Sequence, residues 1–196
     1  MKQVVVSGIG VITSLGSGVD EFWDGLKSGR SGITKVTRFD SSDIPSKVAS
    51  EVCNFDPNDF MDTKEARRND RYAQLALAAT HFALIDAGLS RDDLIPQRTG
   101  VLVGSGIGGM ETIEKQMTTL IERGPRRVSP FMIPSLIANI AGGIIAIDLG
   151  ATGPNFACVS ACASGSHAIG EAFEMIRRGV AAVSYTHLTL PTILLV

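Results

Sequence analysis

Two short apolar runs in this chain pass through glycine and other small residues straight into a helix-forming stretch. This pattern constrains the fold more than any other feature. The first run is Thr99-Gly-Val-Leu-Val103, followed by Gly104-Ser-Gly-Ile-Gly-Gly109 and a helical stretch near 110–123. The second is Asn155-Phe-Ala-Cys-Val-Ser-Ala161, followed by Cys162 and a helical stretch at about 164–178 that Gly179 ends. A short apolar run without alternation suits a strand covered on both faces. Strands that alternate with helices build crossover units, so the expected class is α/β with a largely parallel sheet.

The remaining segments fit that class. Residues 3–13 predict an opening buried strand, 19–28 a short amphipathic helix and 48–53 a short strand. Residues 70–87 predict a helix that Asp70 caps and Gly88 ends, apolar almost all round and therefore buried. The apolar stretch from Phe131 to Gly150 contains Pro134, Asn139 and Asp148, and reads as a buried helix of a globular core rather than a membrane span. With 196 residues the chain can build one real core, and no tandem repeat or low-complexity segment interrupts it.

Charge adds a local signal. The formal net charge is −2, which points to neither nucleic acid nor membrane as a partner. Basic residues cluster in two places, Lys64, Arg67, Arg68 and Arg71 in one segment and Arg123, Arg126 and Arg127 in another. The three cysteines, Cys53, Cys158 and Cys162, have no CxxC spacing and no histidine at metal-ligand spacing, so no metal is expected. An odd cysteine count without a signal peptide suits a reducing cytoplasm.

Chemistry concentrates at Val159-Ser-Ala-Cys162-Ala-Ser-Gly-Ser-His167. Cys162 stands where a strand turns sharply into a helix, and the small residues around it leave room for the turn and for a substrate. A thiol at a helix N-terminus feels the positive end of the dipole, which favours thiolate. The first backbone N–H groups there can hold an oxyanion. Taken alone, the pattern fits a nucleophile elbow, and it also fits a small buried hydrophobe, as most free cysteines are. Cys158, inside the strand, is the better core cysteine, and Cys53 carries no feature of interest. His81 lies within a buried helix and reads as structural. His167 follows Cys162 by five residues, about 500° on a helix, and so points away from it.

The string Ala157-Cys-Val-Ser-Ala-Cys-Ala-Ser-Gly-Ser-His-Ala-Ile-Gly170 resembles the active-site segment of the β-ketoacyl-acyl-carrier-protein synthases, whose nucleophile falls at Cys162. VVVSGIGVITSLG, LKSGRSGI, RRNDRYAQLALAA, VLVGSGIGGMETIE, GPRRVSPFMIPSLIANIAG and GATGPNFACVSACASG agree with it in the same order over residues 1–179. The GSGIGG and GPRRVSPF segments are more similar to type II synthases, which elongate long chains. The resemblance implies a thiolase-like fold with α-β-α-β-α layers, of which only part of the N-terminal half is present. It implies a homodimer, no organic cofactor and a decarboxylating Claisen condensation. In that reaction Cys162 takes the acyl group from acyl carrier protein, and malonyl-acyl carrier protein supplies the attacking carbanion. It further implies that Ile107 borders the acyl pocket and that Lys64, Arg67, Arg68, Arg126 and Arg127 receive the acidic carrier. The family's two catalytic histidines lie in its C-terminal half, beyond the shared residues.

Rival readings remain open at this level. Gly104, Gly106 and Gly109 fit the G-x-G-x-x-G of a dinucleotide-binding oxidoreductase, although no strand ending in Asp or Glu follows at the required distance. A thiolase acting on coenzyme A thioesters, or a noncatalytic chain-length-factor-like subunit, would share the fold. The presence of Cys162 argues against the subunit. Residues 1–182 form the expected, incomplete synthase domain. After Arg177-Arg-Gly179 the similarity stops, and residues 183–196 resemble the translation of a transposase-type sequencing adapter. That tail contains His187 and has strand-forming Tyr, Thr and Leu residues.

Overall fold

The computed structural model describes residues 3–189. Near its start β1 (Ile12–Thr13) pairs antiparallel with β2 (Gly16–Ser17), and α1 (Val19–Lys27) follows. A second antiparallel pair joins β3 (Ile33–Lys35) to β4 (Val48–Ser50). Then come α2 (Thr63–Ala66), α3 (Arg71–Ala87), β5 (Thr99–Ser105), α4 (Met110–Arg123), α5 (Met132–Leu136) and α6 (Ile140–Leu149). The chain continues through β6 (Asn155–Cys158), α7 (Ser164–Arg178) and β7 (Val183–Thr189).

β5 is the middle strand of a parallel sheet with the order β6-β5-β7, and all seven of its residues are buried. Its side chains alternate between two cores, as the two-residue period of a strand requires. Val101 and Val103 enter the cluster of Tyr72, Ala76 and Leu77 from α3 with Ala141 and Ile145 from α6. Leu102 enters the cluster of Ala168 and Ala172 from α7. The result is three layers: α3 with α6, the sheet, and α7. Burial of each of these three strand side chains contributes about 1.5–3 kcal/mol. The alanines of α3 and α7 let the helices approach the sheet closely.

Helices α3 and α7 begin and end where the sequence predicts. Asp70 caps α3 by accepting from Tyr72 N at 3.3 Å, and Gly88 takes the left-handed conformation that closes it. Gly179 closes α7 in the same way.

Several expected elements differ in the structure. Residues 3–11 carry no strand, and Val5 and Val6 are exposed rather than buried. This segment lies on α3 instead. A Cβ at Gly10 would fall 1.9 Å from the Ala79 carbonyl oxygen, and Ile9 N donates to Asp86 Oδ2 at 2.7 Å. A strand needs a partner ladder, and among the described residues no strand pairs with this segment. The single buried helix expected after Pro134, over 134–148, is instead two helices, α5 and α6, with Ile137 extended between them. The break is held by partners for its carbonyls: Gly109 N donates to Leu136 O at 2.9 Å and Tyr72 Oη to Ile137 O at 2.5 Å.

The strand expected over 155–161 stops at Cys158, and the one over 48–53 stops at Ser50. Residues 183–189, read from the sequence as foreign to the fold, form β7 beside β5, a conformation their strand-forming composition permits. The rest of that tail lies outside the described residues.

Candidate active site

The sharp turn between β6 and α7 is built from backbone conformations that side chains hold in place. Ala161 has φ 49°, and it is the one non-glycine residue with positive φ among the described residues. For an L-residue that conformation costs about 1–2 kcal/mol. Cys162 follows at once, in a single 3-10 turn (Ala161–Ala163), and is exposed. The Ser164 hydroxyl, fully buried, accepts from Ser160 N at 2.8 Å and donates to Ala161 O at 2.7 Å, bridging the elbow. His167 Nδ1 lies 2.8 Å from Ser160 Oγ, so this ring is turned to Ser160. α7 itself starts without a side-chain cap, unlike α3.

The glycines at the end of β5 and in the loop after it let this elbow sit down on the sheet. A Cβ at Gly104 would fall 2.5 Å from the Ser164 carbonyl, so only glycine lets the start of α7 come this close. Gly108 has φ 88°, and a Cβ there would meet Leu136 O at 2.3 Å. Between these fixed points Ile107 is half exposed, at 52%, on the tip of the loop. Ser105 Oγ, buried, accepts from Gly108 N at 3.0 Å and holds the loop's curve.

Asp70 links this loop to the basic segment. Its carboxylate caps α3, and its Oδ2 accepts from Thr112 N at 2.8 Å and Thr112 Oγ1 at 2.7 Å, at the start of α4. The same oxygen lies where a Cβ on Gly109 would come within 2.8 Å. Sequence reasoning identified Asp70 as a cap for one helix and missed its hold on the second, which joins residues 42 positions apart. It also missed Ser164. The signal available there was a serine two residues after the cysteine, placed to bond backwards onto its own turn.

The basic residues occupy two exposed segments. Lys64 is in α2, with Arg67 and Arg68 just after it, and Arg126 and Arg127 are in the turn after α4. The Arg68 guanidinium stands 4.4 Å from the centre of the Phe131 ring, and Ser135 Oγ donates to Arg68 O at 2.5 Å. These contacts join the first segment to the chain just beyond the second. Arg71 is engaged elsewhere: it donates to Val52 O at 2.7 Å, and burial, with Arg38 nearby, pushes its pKa down.

Of the other cysteines, Cys53 is exposed and Cys158 half-buried, with its thiol pKa pushed up by burial and then by Glu171. His81 Nε2 lies 2.9 Å from Asp148 Oδ2, and Arg91 meets the other oxygen of Asp148 at 2.5 Å. His81 therefore ties α3 to α6, a structural role. No cluster of metal-ligating side chains occurs among the described residues. No helix among them is long and apolar enough to cross a membrane.

Residues 1–184 match the family described as Beta-ketoacyl synthase, N-terminal domain. The chain belongs to the β-ketoacyl synthase family. A 3-oxoacyl-(acyl-carrier-protein) synthase 2 from Synechocystis sp. is 49% identical over 180 residues, covering 92% of this chain and 43% of the relative. Among solved structures, the ishigamide ketosynthase/chain length factor superposes with a TM-score of 0.82 at 32% identity, covering 90% of this chain and 44% of that one. A type II polyketide ketosynthase solved in complex with its acyl-carrier protein shares the fold, with a TM-score of 0.77 at 23% identity, covering 90% of this chain and 47% of that one. The chain thus spans under half the length of the synthases it matches.

The fold is the thiolase-like fold of the ketosynthases. Of the five layers that family resemblance implied, the described residues supply the three-layer α-β-α part. Membership also removes the dinucleotide-binding reading of the glycines, and the structure gives the physical reason. The start of α4, where a pyrophosphate would sit in such a fold, is filled by the protein's own Asp70 carboxylate.

Proposed function

We propose that this chain is the N-terminal part of a 3-oxoacyl-acyl-carrier-protein synthase, with Cys162 as its nucleophile. The observation that carries the reading is an exposed cysteine on a braced elbow at the start of α7, in a chain of this family. The Cys162 thiolate attacks the thioester carbon of an acyl-acyl carrier protein. The carbonyl oxygen takes the negative charge, the carrier's thiolate leaves, and the acyl group stays on Cys162 Sγ. Malonyl-acyl carrier protein then loses CO2, and the electron pair left on its α-carbon attacks the acyl carbon. The new carbon–carbon bond forms as the bond to Sγ breaks, which returns the thiolate. Dividing the reaction at the acyl-enzyme needs no organic cofactor.

Decarboxylation also needs groups to stabilise the forming carbanion and oxyanion. His81 is engaged by Asp148 and His167 by Ser160, so neither serves Cys162. The family's two histidines, outside the residues shared here, fill that role. Ile107 borders the acyl chain, and Lys64, Arg67, Arg68, Arg126 and Arg127 steer the acidic carrier onto the enzyme. The complete enzyme works as a homodimer in the cytoplasm.

Residues 183–196 belong to a foreign, adapter-derived tail, which supports a synthase domain ending at 182.

The function is tested on a complete enzyme that joins residues 1–182 to the remaining C-terminal part of the Synechocystis relative. Given acyl- and malonyl-acyl carrier protein, it should release CO2 and form a 3-oxoacyl product, and Cys162→Ala should abolish the product. Undiminished product formation by Cys162→Ala would refute the assignment.

A further inference from the structure

We infer that Ser164 is a positioning residue for the nucleophile: its buried hydroxyl holds the elbow in the strained conformation that presents Cys162. The inference rests on Cys162 being the nucleophile. Three observations converge on it. Ala161, the residue immediately before Cys162, holds φ 49° without being glycine, a conformation that persists only when its surroundings enforce it. The Ser164 hydroxyl takes hold of both sides of that residue, accepting from Ser160 N at 2.8 Å and donating to Ala161 O at 2.7 Å. Ser164 is also fully buried, so no water competes for either bond.

The scaffold beneath Ser164 is fixed independently. Its backbone rests on Gly104 at a separation that excludes a Cβ, so the hydroxyl is anchored to the end of β5 rather than to a mobile loop. On the outer side, the 2.8 Å contact between His167 Nδ1 and Ser160 Oγ steadies the residue at which the turn begins. Together these contacts clamp Ser160 and Ala161 and leave Cys162 as the exposed apex. Without the hydroxyl, Ala161 relaxes toward negative φ, and the thiol turns away from the start of α7. Ser164 contacts no reacting atom in this scheme, so it acts only through the backbone that carries Cys162.

The test uses the chimeric complete enzyme described above, and reads the rate at which iodoacetamide labels Cys162, by peptide mass spectrometry, beside the melting curve. Ser164→Ala should slow labelling of Cys162 by about tenfold, a loss of the size expected for one or two ordinary hydrogen bonds. Labelling of Cys53, which is exposed and bonds to Glu51 O, should stay unchanged. Adding Ala161→Gly should restore most of the rate, because glycine adopts positive φ without a brace. A simple packing defect at position 164 would not respond to that second change. If Ser164→Ala fails to fold, the double variant must recover a cooperative melt and Cys162 labelling. An unchanged Cys162 rate in Ser164→Ala, or no recovery in the double variant, overturns the inference. Neither result touches the assignment of the nucleophile. That assignment falls separately if Cys162→Ala still accepts an acyl group from acyl carrier protein.

Discussion

At the scale of single residues Cys158 stands apart from the two exposed cysteines, Cys53 and Cys162. Cys162 is exposed on the elbow, whereas burial and Glu171 push the Cys158 thiol pKa up. The thiolate is the reactive form, so a raised pKa leaves less of it at neutral pH. Limited iodoacetamide at about pH 7.5 should therefore modify Cys162 first and Cys158 last, and Cys158 labelling should climb only as pH rises toward its raised pKa. Labelling of Cys53 ahead of Cys162, read by peptide mass spectrometry, would count against the elbow as the reactive site. Cys162 was legible in the sequence because the small residues on both sides of it have a steric purpose visible without coordinates. The strained φ of Ala161 and the double hydrogen bond of Ser164 were not legible, because alanine and serine are ordinary residues wherever they occur.

At the scale of elements, Asp70 joins three parts of the site. One carboxylate caps α3, holds the start of α4 and abuts Gly109 at the end of the loop that bears Ile107. Asp70→Ala would leave the N–H groups of Tyr72 and Thr112 without this acceptor in a buried setting. We expect a loss of about 2 kcal/mol, measured from urea unfolding of the complete enzyme. An unchanged midpoint would mean that the two helix starts find other partners. The helices at 70–87, 110–123 and 164–178 were legible because a glycine stop follows each of them and, for the first, Asp70 caps its start. The break between α5 and α6 was not, since the carbonyls freed there are satisfied by Tyr72 and Gly109, distant in sequence. The opening strand failed for a related reason: apolar composition says that a segment can be buried, whereas a strand also needs a neighbour to pair with. Here the backbone at Gly8 and Gly10 lies against α3 and Val5 and Val6 stay exposed.

At the scale of the whole molecule, the described residues leave large apolar side chains in the open. Ile147 is 84% exposed, Ile169 60% and Val159 57%. Each such side chain forgoes about 1.5–3 kcal/mol of burial, against a total stability of about 5–15 kcal/mol for a typical domain. The 196-residue chain expressed alone should be poorly soluble, melt without cooperativity and show no condensing activity. A soluble, cooperatively melting, condensing product would contradict the reading of the chain as part of a larger catalytic unit. The basic surface also belongs to this scale, because its worth lies in long-range steering. Reversing charge at Arg67 and Arg68 together in the complete enzyme should raise KM for acyl carrier protein by about tenfold, with a smaller effect at high salt. An unchanged KM would remove these residues from the carrier's path.

The central claim is that Cys162 carries the acyl group, and the acyl-enzyme itself tests it most directly. The complete enzyme is incubated with an acyl-acyl carrier protein in the absence of malonyl carrier, and its intact mass and tryptic peptides are measured. The expected result is one acyl adduct per chain, located on the peptide that contains Cys162, labile to hydroxylamine and absent from Cys162→Ala. An adduct that persists in Cys162→Ala, or that maps to Cys53 or Cys158, would contradict it.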